Sequence, residues 1–264
     1  MSGRRVLVIA GTDSSGGAGL VRDVRTLARM NVPVACAVTA VTAQTDSSVS
    51  SVYPLPPAEV RAQMSAALGS GDIGAIKIGM LGTQAIVEIV AEVLTDHRGP
   101  PIVLDPVLYS SSGSSLLDPA GIVALRRLIF PLAALLTPNL PEAAYLAQGG
   151  HFTPGVASAR TTVEGWAHAL LAQGPQAVLL KGGHATGAAV ADVLVRPGCE
   201  ALWFSDRRLE GQARGTGCAL AAAVAGALAR GEDLEQACRC GRAHVRALFR
   251  EKPASVDTPA SDTS

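Results

Sequence analysis

Several stretches of this sequence have residue types suited to handling phosphate. Glycine-rich segments let backbone amides lie against an anion, and two stand out: Gly11-Thr12-Asp13-Ser14-Ser15-Gly16-Gly17-Ala18-Gly19 near the start and Arg214-Gly215-Thr216-Gly217-Cys218 near the end. The second leads directly into a run of small residues with helical character. Free amides and the positive end of a helix dipole would meet there and form an anion site. The same dipole favours a thiolate, so Cys218 is expected to be acidified and to react with iodoacetamide before Cys36 or Cys199. The bland readings are ordinary strand-to-helix turns and a small buried cysteine.

Three further segments carry polar chemistry. Lys181-Gly182-Gly183-His184 places a cation beside two glycines, as a phosphate contact or as a solvated loop residue. Asp105-Pro106-Val107 offers a hard carboxylate oxygen of the kind Mg²⁺–phosphate sites use, or a turn aspartate before proline. Thr137-Pro138-Asn139-Leu140-Pro141-Glu142-Ala143 ends a strand and opens a helix, with Asn139 placed as its cap; function and plain capping both stay open there. Dinucleotide and P-loop readings fail. Arg22 stands where the third glycine after Gly17 and Gly19 is needed, and no Gly-Lys-Ser/Thr occurs.

These segments need elements to position them. Short β-branched runs at 6–10, 34–42, 75–78, 102–105, 135–137, 177–180 and 190–195 read as strands. Helical patterns at 18–30, 58–68, 84–94, 122–128, 141–147, 163–173, 219–230 and 234–249 are interspersed with them. That alternation predicts βαβ units and a mostly parallel central sheet with helices on both faces, in an α/β fold. Ligands then collect at the carboxyl ends of the strands, where most of the segments above fall. Residues 1–250 read as one domain and 251–264, rich in Pro, Ser, Thr and Asp, as a disordered tail.

Composition narrows the partners. With 22 basic and 22 acidic residues the 264-residue chain has no net field to draw it to nucleic acid or to a membrane surface, and no apolar run is long enough to span one. Five scattered cysteines, an odd number, predict reduced thiols in a cytoplasm. Cys238-Arg239-Cys240 and His244 lack a second ligand pair, so helix packing is expected there. Trp166 and Trp203 are expected to pack, and His97, His151 and His168 carry no signal.

Taken in order, the motifs resemble those of the hydroxymethylpyrimidine/phosphomethylpyrimidine kinases. They are the segment 9–19, Thr39-Ala40-Val41-Thr42-Ala43-Gln44, Lys77-Ile78-Gly79-Met80-Leu81, Asp105-Pro106-Val107, the segment 137–143, Leu180-Lys181-Gly182-Gly183-His184 and Gly215-Thr216-Gly217-Cys218. The resemblance implies a ribokinase-like fold, ATP and Mg²⁺ as co-reactants, a homodimer and two successive phosphoryl transfers. The first goes to the hydroxymethyl group of 4-amino-5-hydroxymethyl-2-methylpyrimidine and the second to its monophosphate. It implies that Gln44 bonds the aminopyrimidine, with Gly11, Ala18, Met80 and Val107 around the ring. It gives Asp105 and Glu142 to the Mg²⁺–phosphate region, Lys181 and Asn139 to the ATP phosphates, Gly215, Thr216 and Gly217 to the anion hole, and Cys218 to the base position. The chain departs from the pattern with Ala213-Arg214 where Thr-His is usual and with no Lys in Leu108-Tyr109-Ser110-Ser111-Ser112-Gly113. Thr45-Asp46 also stands where Asn-Thr is usual. Arg214, a planar permanent cation, is therefore expected to serve a phosphate, the other reading being a side chain that points to solvent. A pyridoxal kinase of the same fold and a non-catalytic pyrimidine sensor are the other readings.

Overall fold

The structure, a computed structural model, describes residues 3–45, 47–97, 99–110, 112–149, 159–183, 188–211 and 213–250. The tail at 251–264, and with it Asp46, Ser111, His151 and His184, lies outside the described residues.

Among the described residues, nine strands form one sheet in the order β3-β2-β1-β4-β5-β6-β7-β8-β9. β1 (Arg5–Asp13), β2 (Val34–Gln44), β4 (Ile73–Ile78), β5 (Ile102–Leu104), β6 (Leu135–Leu136) and β7 (Val178–Leu180) are parallel. β3 (Val49–Pro54) adds antiparallel at one edge; β8 (Ala189–Val195) and β9 (Leu202–Arg207) add antiparallel at the other. The expected mostly parallel sheet is present, and β3 and β9 are additions to it. Both are edge-side strands with polar or exposed positions, so neither carries the apolar run that marks a buried parallel strand. β3 ends in Pro54, which an edge strand tolerates.

Helices cover both faces. On one face α2 (Pro57–Leu68), α3 (Gln84–Asp96), α4 (Pro119–Ala124), α5 (Leu140–Ala147) and α6 (Arg160–Leu171) pack around Met64, Ile86, Phe130 and Trp166. On the other, α1 (Gly19–Arg29), α7 (Thr216–Ala229) and α8 (Leu234–Leu248) enclose Leu27, Leu220, Val224 and Cys238. α7 is almost wholly buried and almost wholly small. A Cβ on its Gly226 would stand 2.9 Å from Leu27, and one on Gly241 of α8 2.7 Å from Val224, so α1 and α8 close on α7 through glycine. This sandwich drives the N-terminus of α7 against the strand ends. Because β2 and β4 flank β1 on opposite sides, the chain reverses its direction of sheet growth there, and the crevice at that switch point is where α/β sheets bind ligands.

Candidate active site

The β1–β2 register slips between Ala10↔Val38 and Thr12↔Val41, and Gly11 sits at the slip. A Cβ at Gly11 would lie 2.9 Å from the Met80 sulfur, so any larger residue would force the Met80 side chain to shift. Thr39 donates to the Met80 carbonyl at 2.6 Å and fixes that segment. Met80 forms a small apolar cluster with Ala40 and Leu116, with Val52 and Val107 packed against it, apart from both cores. The segments carrying Gly11, Met80 and Val107 thus converge as expected; Ala40, Val52 and Leu116 join them without a sequence signal.

A polar knot adjoins this cluster. The Asp13 carboxylate, 4% exposed, accepts from the Ser15 amide and hydroxyl at 2.8 and 2.7 Å and from the Ala18 amide at 2.8 Å. Burial resists its ionisation, yet the hydrogen bonds from Ser15, Gln44 and Ala18 hold its pKa below the ordinary value. The Gln44 side chain thus lies near Asp13, and its amide has both a donor and an acceptor to offer a ligand. Arg214 donates to the Ser15 hydroxyl at 3.0 Å and to the Thr45 carbonyl at 3.2 Å, and stands 3.7 Å from Asp13. It points into the glycine-rich loop rather than to solvent. Gly215, at φ 65°, is the N-cap of α7 and adopts the left-handed region that favours glycine. A Cβ there would collide with the Gly17 carbonyl, so the two glycine-rich loops meet backbone to backbone.

The phosphate-type residues gather beside them. Lys181 donates to Asp105 at 2.7 Å with 12% of its side chain exposed, so it is a buried partner and not a solvated loop residue. A Cβ on Gly217 would come within 3.0 Å of the Lys181 ammonium and 3.7 Å of the Asp105 carboxylate, which puts the first turn of α7 against this pair. No side chain among the described residues caps that turn, where Thr216, Gly217 and Cys218 present their amides. Asn139 and Glu142 form a complete capping box, each side chain accepting from the other's backbone N–H at 2.9 Å. The plain-cap reading is thus realised. Burial pushes the Glu142 carboxyl up to about 7 against the pull of Lys181, with Asp105 adding to the rise.

The Cys218 expectation needs correction. Burial pushes its thiol up to about 11; the Asp23 and Asp105 charges push the same way, while Lys77 and the Gly19 amide pull it down. Desolvation outweighs the dipole at this helix end. Cys36 and Cys199 are both exposed, so they and not Cys218 are placed to alkylate first.

Residues without a role assigned from the sequence also enter the site. Lys77 and Asp23, both fully buried, pair at 2.6 Å behind the α7 terminus. Asp13 and Ser15 build the Gln44–Arg214 knot. Lys77 carried a signal, a charge inside an apolar strand; Asp23 did not, because one acidic residue on a basic helix reads as a solvated face.

Asp105 and Glu142 are two carboxylates, and no group of three or more His, Cys, Asp or Glu that could hold a metal occurs among the described residues. Two hard oxygen donors suit Mg²⁺ shared with a nucleotide's phosphates, since that ion takes one or two carboxylates and keeps phosphate oxygens and waters. The raised Glu142 carboxyl beside Asp105 fits, because a cation there relieves the charge the pair would otherwise concentrate. Cys240 and His244 belong to no such group either.

A sequence model of the phosphomethylpyrimidine kinase family matches residues 13–259. The chain belongs to that family. Among curated relatives, it is 42% identical over 221 residues to the hydroxymethylpyrimidine/phosphomethylpyrimidine kinase of Salmonella typhimurium, covering 83% of this chain and 80% of that one. It is 34% identical over 245 residues to a thiamine biosynthesis bifunctional protein ThiED of Geobacter sulfurreducens, covering 93% of this chain but only 49% of that protein's length. Among solved structures, the pyridoxal kinase of Staphylococcus aureus in complex with AMP-PCP and pyridoxal superposes with a TM-score of 0.85 at 28% identity, covering 97% of this chain and 91% of that one. The phosphomethylpyrimidine kinase sequence thus adopts the ribokinase-like fold, and it is a kinase.

Proposed function

We propose that this kinase transfers the γ-phosphoryl group of ATP to the hydroxymethyl group of 4-amino-5-hydroxymethyl-2-methylpyrimidine and then phosphorylates the resulting monophosphate, in thiamine biosynthesis or salvage. The observation that carries this reading is the junction of two half-sites on one sheet end. The Met80–Ala40–Leu116 cluster with Gln44 suits a flat aminopyrimidine, and Lys181, Asp105 and the α7 amides suit a transferring phosphoryl group. Gln44 offers its side-chain carbonyl to the ring amino group, while Gly11, Ala18, Met80 and Val107 line the ring. Lys181 and the amides of Gly215, Thr216 and Gly217 neutralise charge on the phosphates, with Asn139 alongside, and Cys218 takes the hydroxyl proton. Asp105 and Glu142 would hold Mg²⁺, which screens the negative charge between the nucleotide phosphates. Phosphoryl transfer is mostly positioning and charge stabilisation, so this inventory suffices.

A cytoplasmic homodimer belongs to the same reading. All five cysteines are free, as in a reducing compartment, and no helix among the described residues is long and apolar enough to cross a membrane. Val41 and Tyr53, cross-strand neighbours at the β3 edge, are 49% and 67% exposed and offer apolar area for a second copy.

Pyridoxal kinase stays as the second reading because of the fold shared with the Staphylococcus aureus enzyme that holds pyridoxal. A coupled ADP-release assay with hydroxymethylpyrimidine, its monophosphate and pyridoxal side by side separates the readings. Turnover of the two pyrimidines well above pyridoxal is expected, and release with none of the three would leave a pyrimidine sensor instead. Gln44→Leu should weaken pyrimidine binding by about 1–3 kcal/mol, because the ring amino group is left unpaired in a closed site. ATP affinity, measured by calorimetry on the same protein, should stay unchanged; equal loss of both ligands would mean a disordered loop. Arg214→His should change the ratio of kcat/KM between hydroxymethylpyrimidine and its monophosphate. A parallel fall in both places Arg214 on the ATP side, and no change in either removes it from phosphate binding.

A further inference from the structure

Lys77 is among the largest fully buried side chains of the protein, and its ammonium donates to Asp23, 54 residues away on α1. Taking both charges out of water costs several kcal/mol per ion, and a well-packed apolar pair often does as well for stability. The arrangement is also incompletely satisfied, because Asp23 Oδ1 is buried without a hydrogen-bond partner among the described residues. A stability argument does not explain such a pair.

Its location does. The Lys77 ammonium lies at the end of β4, where a Cβ on Gly79 would approach it to 2.7 Å, and α7 packs across β4. Asp23 sits one turn into α1 from Gly19, and α1 packs against α7, whose first turn carries Cys218. The groups that act on Cys218 are thus Lys77 from β4, Asp23 from α1, Asp105 after β5 and Lys181 after β7. Lys181 is tied to Asp105 and partly exposed, whereas Lys77 is held dry by the fold.

We propose that the buried Lys77–Asp23 pair is a positioning device for Cys218, its ammonium supplying the positive charge that lets this sulfur accept a proton from substrate. The proposal rests on the reading of Cys218 as the base. Burial opposes the Lys77 charge, but Asp23, Cys218 and Asp105 together hold it protonated beyond the ordinary lysine range, so it is a permanent cation under working conditions. Asp23 keeps that cation in place; burial lifts its own carboxyl to about 6 against the pull of Lys77.

Alkylation by iodoacetamide, resolved by peptide mass spectrometry, reads the thiolate fraction at Cys218 directly, with exposed Cys199 as the internal reference. In Lys77→Met the Cys218-to-Cys199 rate ratio should fall about tenfold at a fixed mildly alkaline pH, as expected for losing one opposite charge nearby. The rising limb of kcat/KM against pH should move to higher pH in the same protein. The double variant Lys77→Met/Asp23→Leu supplies an apolar pair if the single one folds poorly, and its ratio should also fall, though less, because the opposing Asp23 charge is gone. A purely structural pair would loosen the site when broken and raise the ratio. An unchanged or raised ratio in the double variant, with a wild-type-like thermal melt, overturns the proposal. Lack of ADP release by the wild type would sink the kinase reading, whereas the alkylation ratio would still decide whether the pair acts on the sulfur.

Discussion

Cys218→Ala should lower turnover by roughly 10²–10⁴, the usual range for removing a general base, while pyrimidine affinity changes little. The sulfur stands in the first turn of α7, next to the residue whose Cβ position faces Lys181 and Asp105, the pair proposed to face the transferring phosphoryl group, and it is not a member of the Met80 cluster proposed to hold the ring. Burial lifts the thiol to about 11, so the thiolate that serves as base is a minor form near neutral pH, offset in part by its high basicity. That suits a loose phosphoryl transfer, in which the hydroxyl proton departs late, when the oxygen is already bonding to phosphorus and has become acidic. Removing the base should therefore act on kcat and kcat/KM together, without a rise in the dissociation constant for the pyrimidine measured by calorimetry. Cys218→Ala with near-normal kcat would take the cysteine out of the mechanism.

Lys181→Met should lower kcat by about 10²–10³, comparable to losing one preorganised donor at a developing charge. It should also destabilise the protein, because Asp105 is 3% exposed and loses its ammonium partner; breaking a buried pair from one side costs about 3–5 kcal/mol. Burial opposes the Lys181 charge, yet Asp105 and Glu142 outweigh it and raise its pKa above the ordinary value, so the cation is present whenever ATP binds. The two effects separate in folded Lys181→Met assayed well below its melting temperature. Its kcat should stay low there, because Met supplies no charge to the phosphates. Near-wild-type kcat in the folded variant would show that Lys181 serves only the fold.

The sequence by itself determined the features that depend on near neighbours in the chain. The strand–helix alternation follows from apolar periodicity, and the α5 start follows from Asn139 and Glu142 three residues apart. The glycine-rich turns of 11–19 and 214–217 announced backbone laid against something, and Gly215 at φ 65° is one such position. The tertiary structure alone decided the properties that desolvation and long-range charge control. The dipole of α7 is legible in sequence and favours an acidic Cys218; the burial that overrides it comes from packing between α1 and the strand ends. Lys77 and Asp23 become a pair only when α1 packs on β1 beside its neighbour β4, and Arg214 reaches Ser15 across 199 residues. Caps and turns are settled within about four residues of chain, whereas a charge in a dry interior takes its energy from whatever the fold brings alongside it.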